Sequence, residues 1–172
     1  ILLTAGCFTS KKFVQMKLFC CFCLFFLLPL LPLTAQDAYV PTVGSRLLTL
    51  SGQDLLSGRL INIDFTKSPG YTLLHFWHSE SDSSLNDFPA VVQLAERYQS
   101  QLVVYGFPYE KKEALAKVRR LVAQHRFKCP QLLQYRPPLQ QGAAVIQALQ
   151  IDFFPTYMLL NREGIILVRT HT

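Results

Sequence analysis

Seven consecutive residues, Tyr71-Thr-Leu-Leu-His-Phe-Trp77, are apolar and aromatic almost throughout, and the polar run His78-Ser-Glu-Ser-Asp-Ser-Ser84 follows them without a spacer. A short apolar stretch rich in aromatics reads as a buried strand. The polar run opens a helix carrying Phe88, Val91, Val92, Leu94, Ala95 and Tyr98 at roughly helical spacing, with no glycine in the segment. A second buried strand, 101–107, comes next, and 110–125 reads as an amphipathic helix with Leu115, Val118, Leu121 and Val122 on one side. The stretch 127–138 is irregular and proline-bearing, and 143–149 is a short helix. Strands at 156–160 and 165–169 flank Asn161-Arg-Glu-Gly164, a hairpin signature. Strands alternating with helices and closing on a hairpin predict an α/β layer fold with a central mixed sheet flanked by helices.

The remaining segments divide the chain further. The run Leu18 to Leu33 carries no charge, follows Lys11, Lys12 and Lys17, and ends at Leu33-Thr34-Ala35. A basic start, a short apolar run and a small residue before the cut describe a secretory signal peptide. The run is shorter than the ~20 apolar residues of a spanning helix, so no stable membrane span is expected after cleavage. The signal is placed at 16–35, beginning at Met16, with 1–15 as an upstream non-native extension. An N-terminal segment with short strands fills 36–70, its strand candidates lying at 46–50 and 59–65. The domain proper spans 71–172.

Removing the leader lowers the formal charge from +6 to +3, with 14 Lys and Arg against 11 Asp and Glu. No basic run is interleaved with aromatics, so a nucleic-acid partner is not indicated. Cys7, Cys20, Cys21 and Cys23 leave with the leader, and Cys129 alone cannot form an internal disulfide. It is expected to be a buried small hydrophobe.

Several residues together carry a specific resemblance. Phe76-Trp77 precedes, by three residues, Ser81-Asp82-Ser83-Ser84; the run Leu85-Asn86-Asp87-Phe88-Pro89 follows; and Phe154-Pro155-Thr156 stands before the hairpin. In this order the pieces resemble TlpA/ResA-type thiol–disulfide oxidoreductases, the exported branch of the thioredoxin superfamily, over about one hundred residues. The resemblance implies a thioredoxin-like fold, export to a bacterial periplasm or cell surface, and a cis proline at Pro155 facing the helix start. The chain departs from the family in two respects. Ser81 and Ser84 stand where the family has Cys-x-x-Cys, and the chain stops at Thr172, without the final helix that covers one sheet face. The resemblance therefore implies a C-terminally truncated domain whose uncovered apolar face awaits a partner or the missing helix.

A serine hydroxyl cannot enter thiol–disulfide exchange, which needs a thiolate and a second, resolving thiol. The degenerate motif thus predicts a redox-inactive domain with no catalytic residues, cofactor or metal. The serines have a local role as helix caps: Ser84-x-x-Asp87 resembles a capping box, and Ser81, Asp82 and Ser83 are further cap candidates. A free helix N-terminus attracts anions, yet Glu80, Asp82 and Asp87 oppose one. What the resemblance implies instead is an extended peptide or partner protein docked beside the proline loop, on Trp77, Phe154, Pro155 and Thr156 with Glu80 and Asp82 at the rim. Two other functions remain open, a periplasmic thiol–disulfide oxidoreductase and a structural domain of a larger protein.

Other chemistry is poorly supported. His78, Glu80, Ser81 and Asp82 contain the residue types of a hydrolase, but no Gly-x-Ser-x-Gly elbow is present. The same loop lacks a second His or Cys to complete a metal site. His75 is expected to be a satisfied core histidine, His125 to end a helix, and His171 to lie near the chain end. No glycine-rich phosphate loop and no peroxidatic cysteine after the first strand are present.

Overall fold

The apolar strand predicted at 71–77 is the centre of the molecule. A computed structural model of the chain describes residues 40–135 and 144–172. The signal peptide and upstream extension assigned to 1–35 lie outside the described residues. Strands are β1 (Leu50–Gln53), β2 (Leu60–Ile63), β3 (Tyr71–Trp77), β4 (Leu102–Glu110), β5 (Gln134–Tyr135), β6 (Thr156–Leu160) and β7 (Ile166–His171); helices are α1 (Asp82–Arg97), α2 (Leu115–Gln124) and α3 (Ala144–Ala148). Five strands form one mixed sheet in the order β5-β4-β3-β6-β7. β3 runs parallel to β4 and antiparallel to β6. The expected architecture, a mixed central sheet flanked by helices, is the observed one.

Alternation along β3 sorts the core into two layers. Leu74 and Phe76 face one side, with Ile63, Phe65, Phe107, Ile146, Met158 and Ile166. Leu73 and Trp77 face the other, with Phe88 and Val91 of α1 and Val118 and Val122 of α2. The β1–β2 hairpin contributes to the first layer through Leu50 and Ile63, so this lead-in shares the sheet's core.

Local chemistry places most boundaries. At the β6–β7 turn, Asn161 Oδ1 accepts from the N–H groups of Glu163 (3.1 Å) and Ile165 (2.9 Å). Gly164 there has φ +76°, a conformation that L side chains rarely adopt, and a Cβ would meet the Leu47 carbonyl. The helix read from 110 begins later, because β4 continues to Glu110 and a 3-10 turn at Lys112–Ala114 intervenes. The strand read at 46–50 begins instead at Leu50. Between α1 and the β6–β7 pair lies an open apolar groove lined by Leu73, Val91, Leu94, Leu159 and Val168. No described helix is long and apolar enough to cross a membrane.

Candidate functional site

The loop joining β3 to α1 meets the loop preceding β6, and that meeting point is the candidate site. Ser81 is the N-cap of α1: its backbone is extended (φ −97°, ψ 112°) and its Oγ accepts from the Ser84 N–H at 3.3 Å. The same hydroxyl donates to the Phe154 carbonyl at 3.1 Å and lies 3.1 Å from Ser83 Oγ. A hydroxyl has one hydrogen to give and two lone pairs to fill. With its hydrogen on Phe154, Ser81 receives from Ser84 N–H and Ser83 O–H, and its bonding capacity is filled.

Ser84 behaves differently from the capping residue that its Ser-x-x-Asp spacing indicates. It is fully buried, and its Oγ accepts from the His78 N–H at 3.4 Å. The cap is Ser81, three residues earlier, because the helix starts at Asp82. Asp87 is drawn across to the sheet, where it accepts from Tyr157 Oη (2.8 Å) and Thr172 Oγ1 (3.2 Å). Burial first, and then this bond and the Asp87 charge, push the Tyr157 hydroxyl pKa upward.

The platform expected beside the proline is only partly on the surface. The Phe154–Pro155 peptide is cis, as the resemblance implies. Pro155 and Thr156 are nevertheless buried, and Thr156 Oγ1 donates back to the Phe153 carbonyl at 2.6 Å. Trp77 is also inside: its indole N–H donates to Gln131 Oε1 at 3.0 Å and its ring meets Phe88 edge-on. A Cβ at position 106 would overlap that Gln131 amide, so Gly106 is what lets the glutamine reach the indole. Trp77, Pro155 and Thr156 therefore support the surface from beneath and do not form it.

The aromatic groups that do reach solvent are Phe154, half-buried and stacked on Tyr109 (5.4 Å, 14°), and Phe153, 61% exposed and stacked on His171 (5.0 Å, 20°). Glu80 and Asp82, both exposed, flank Ser81. Sequence reasoning missed Phe153, Tyr109 and His171. Their exposure depends on how three separate segments converge, although the apolar Phe153-Phe154 pair beside the proline was a visible signal.

Catalytic chemistry finds little support in this geometry. His78 Nδ1 accepts from the Glu80 N–H (2.9 Å), and its Nε2 lies 3.9 Å from Glu80 Oε2. The ring is thus engaged with Glu80. Among the described residues no three His, Cys, Asp or Glu side chains are placed to hold a metal. Cys129 is half-buried, and burial followed by the Glu96 charge raises its thiol pKa to about 11. Glu96 lies in the last turn of α1, about 20 Å along the axis from Asp82 at 1.5 Å per residue. Cys129 and the serine motif therefore belong to opposite ends of that helix.

No protein-family model and no curated protein sequence matches the chain. Its structure is similar to the thioredoxin domain of a thiol-disulfide oxidoreductase from Bacteroides vulgatus, with a TM-score of 0.62 and 21% identity over 74% of this chain and 87% of that one. It is similar also to a thiol:disulfide interchange protein from a Bacteroides species (TM-score 0.61, 19% identity, 74% and 80% covered). A third likeness is to a secreted disulfide oxidoreductase of Mycobacterium tuberculosis (TM-score 0.59, 12% identity, 73% and 84% covered). At these identities the likeness is one of fold. The protein is a thioredoxin-like α/β domain with serine at both ends of its Ser-x-x-Ser motif.

Proposed function

We propose that the chain is an exported, redox-inactive thioredoxin-fold domain, of TlpA/ResA-type descent, that binds an extended peptide segment or a partner protein. The observation that carries this reading is the state of Ser81. Its hydroxyl caps α1 and ties the helix start to the Phe154 carbonyl, leaving no nucleophile at the family's reactive position. A hydroxyl has no thiolate to offer at neutral pH, so disulfide exchange has no first step. The surface beside it is suited to contact: Phe153 and Phe154 supply aromatic area with few rotatable bonds, and Glu80 and Asp82 supply a polar rim. Export rests on the leader pattern at 16–35. The competing reading, a working thiol–disulfide oxidoreductase, would have to use Cys129, whose raised pKa and place at the far end of α1 weigh against it.

Two measurements on the purified protein test the proposal. Insulin reduction driven by dithiothreitol should be at background for the wild type and rise at least about tenfold in Ser81→Cys/Ser84→Cys, where thiols return to the helix start. A display library of random extended peptides should yield binders whose affinity falls roughly tenfold with Phe154→Ala, an aromatic contact residue. Turnover by the wild type would overturn the redox-inactive reading. Binders indifferent to Phe154→Ala, or no binders at all, would overturn the binding surface.

A further inference from the structure

Ser79 is 1% exposed, yet each of its polar groups has a partner. Its N–H donates to Glu110 Oε1 and its hydroxyl to Glu110 Oε2 (2.9 Å), while its carbonyl accepts from Lys117 Nζ (2.9 Å). Glu110 ends β4 and is itself 1% exposed; Lys117 stands in the first turn of α2. Neither residue belongs to the Ser-x-x-Ser motif, and they reach Ser79 from 31 and 38 positions away. A buried carboxylate is costly unless its oxygens are bonded, and both oxygens of Glu110 bond to the same loop residue.

Ser79 is the fixed point between the end of β3 and the start of α1. From it the loop folds on itself: the Ser81 N–H donates to the His78 carbonyl (3.1 Å), and the Glu80 N–H to His78 Nδ1 (2.9 Å). Ser81 Oγ then falls 3.1 Å from the Phe154 carbonyl. We propose that Glu110, assisted by Lys117, is the positioning residue of the candidate site: its buried carboxylate holds the 78–81 loop from behind, so that Ser81, flanked by Glu80 and Asp82, meets Phe154. This goes beyond the peptide-binding reading and does not need it, because the loop must be held whatever docks there. Glu110→Gln should preserve the arrangement. The amide oxygen accepts from the Ser79 N–H, and the amide nitrogen donates to a Ser79 hydroxyl that has reversed its role.

The test combines amide hydrogen exchange with a redox reporter. In Glu110→Ala, exchange at Ser79, Ser81 and Ser84 should rise about tenfold or more relative to Leu74 in the middle of β3, and Glu110→Gln should return it to within roughly threefold of wild type. In the Ser81→Cys/Ser84→Cys background, Glu110→Ala should shift the disulfide equilibrium with glutathione about tenfold, with Glu110→Gln again restoring it. If Glu110→Ala does not fold, Lys117→Met, which removes the donor to the Ser79 carbonyl and a positive charge near Glu110, should still raise loop exchange roughly threefold relative to Leu74. Loop amides that keep step with Leu74 in these variants, or a disulfide equilibrium indifferent to Glu110→Ala, would overturn the assignment. Failure of Glu110→Gln to restore either readout would overturn the hydrogen-bonding basis given to it.

Discussion

His75 and Glu110 are both polar side chains buried against the central sheet, and the protein treats them in opposite ways. His75 lies in the middle of β3, stacked on Tyr157 (5.1 Å, 6°) and Phe127 (6.0 Å, 19°), and neither ring nitrogen has a hydrogen-bond partner among the described residues. Glu110, at the C-terminal end of β4, has both carboxylate oxygens bonded to Ser79. The difference follows from position along the strands. In mid-sheet, main-chain N–H and C=O groups are consumed by the ladder, so a polar side chain there finds no free main-chain partner. At the strand ends, loops turn away from the ladder and release main-chain groups, so a buried polar residue can be satisfied there. The candidate site lies at that same end, where open α/β sheets generally place ligands.

The sharpest way to break this comparison is pH. Burial, partly offset by the Asp87 charge, depresses the His75 pKa from 6.5 to about 3. Above pH 6.5 folded and unfolded states are both neutral there, and the contribution to stability is complete. As pH falls below 6.5 the unfolded chain takes up a proton that the folded one refuses, and the loss grows until about pH 3. Unfolding free energies from urea titrations at pH 7 and pH 4 should therefore differ by roughly 3 kcal/mol more in wild type than in His75→Leu; equal acid sensitivity would remove His75 as its source. Glu110 acts with the opposite sign. Burial raises its carboxyl pKa above 4.5, against the lowering effect of the Ser79 bonds, so its contribution is present below pH 4.5 and is lost as pH rises through the folded value.

The second test concerns the bonded partner. Glu110→Ala strands the Ser79 N–H and hydroxyl in the interior and should cost about 2 kcal/mol at neutral pH, while Glu110→Gln should cost well under half of that. Urea denaturation would show it, and equal losses in the two variants would mean that charge, not bonding, governs the residue. The smallest effect belongs to the site itself. Ser81→Ala removes the α1 cap and the contact with Phe154 and should cost about 1 kcal/mol, against little change for the exposed Ser83→Ala. Equal losses there would show that the cap function is shared between the two serines.

The misplaced expectations share one cause. Ser84 read as a cap from its type and spacing, Thr156 as part of a docking platform from the resemblance, and His75 as a satisfied core histidine because most are. Ser84 is buried because α1 begins at Asp82, which turns its side chain toward the His78 N–H. Thr156 is buried because it opens β6 and closes its hydroxyl on Phe153. His75 lacks hydrogen-bond partners among the described residues because its neighbours in space are rings from 13, 52 and 82 residues further along the chain. Trp77 read as a surface anchor, and its packing on Phe88 and its bond to Gln131, 54 residues away, explain why it is not one.

Local period and residue chemistry were enough to determine the strand at 71–77, a helix opening in the polar run behind it, the Asn161–Gly164 hairpin and the absence of a thiol at either motif position. Those properties depend on a few consecutive residues, which any chain of this sequence carries wherever it folds. Only the tertiary structure decided that Ser81 touches Phe154 across 73 residues, that Glu110 reaches Ser79 across 31, and that Phe153 rather than Pro155 faces solvent. Each of those depends on the pairing of β3 with β4 and β6 and on the packing of α1 over them, and a shift of one residue in either pairing would turn the same side chains to the other face.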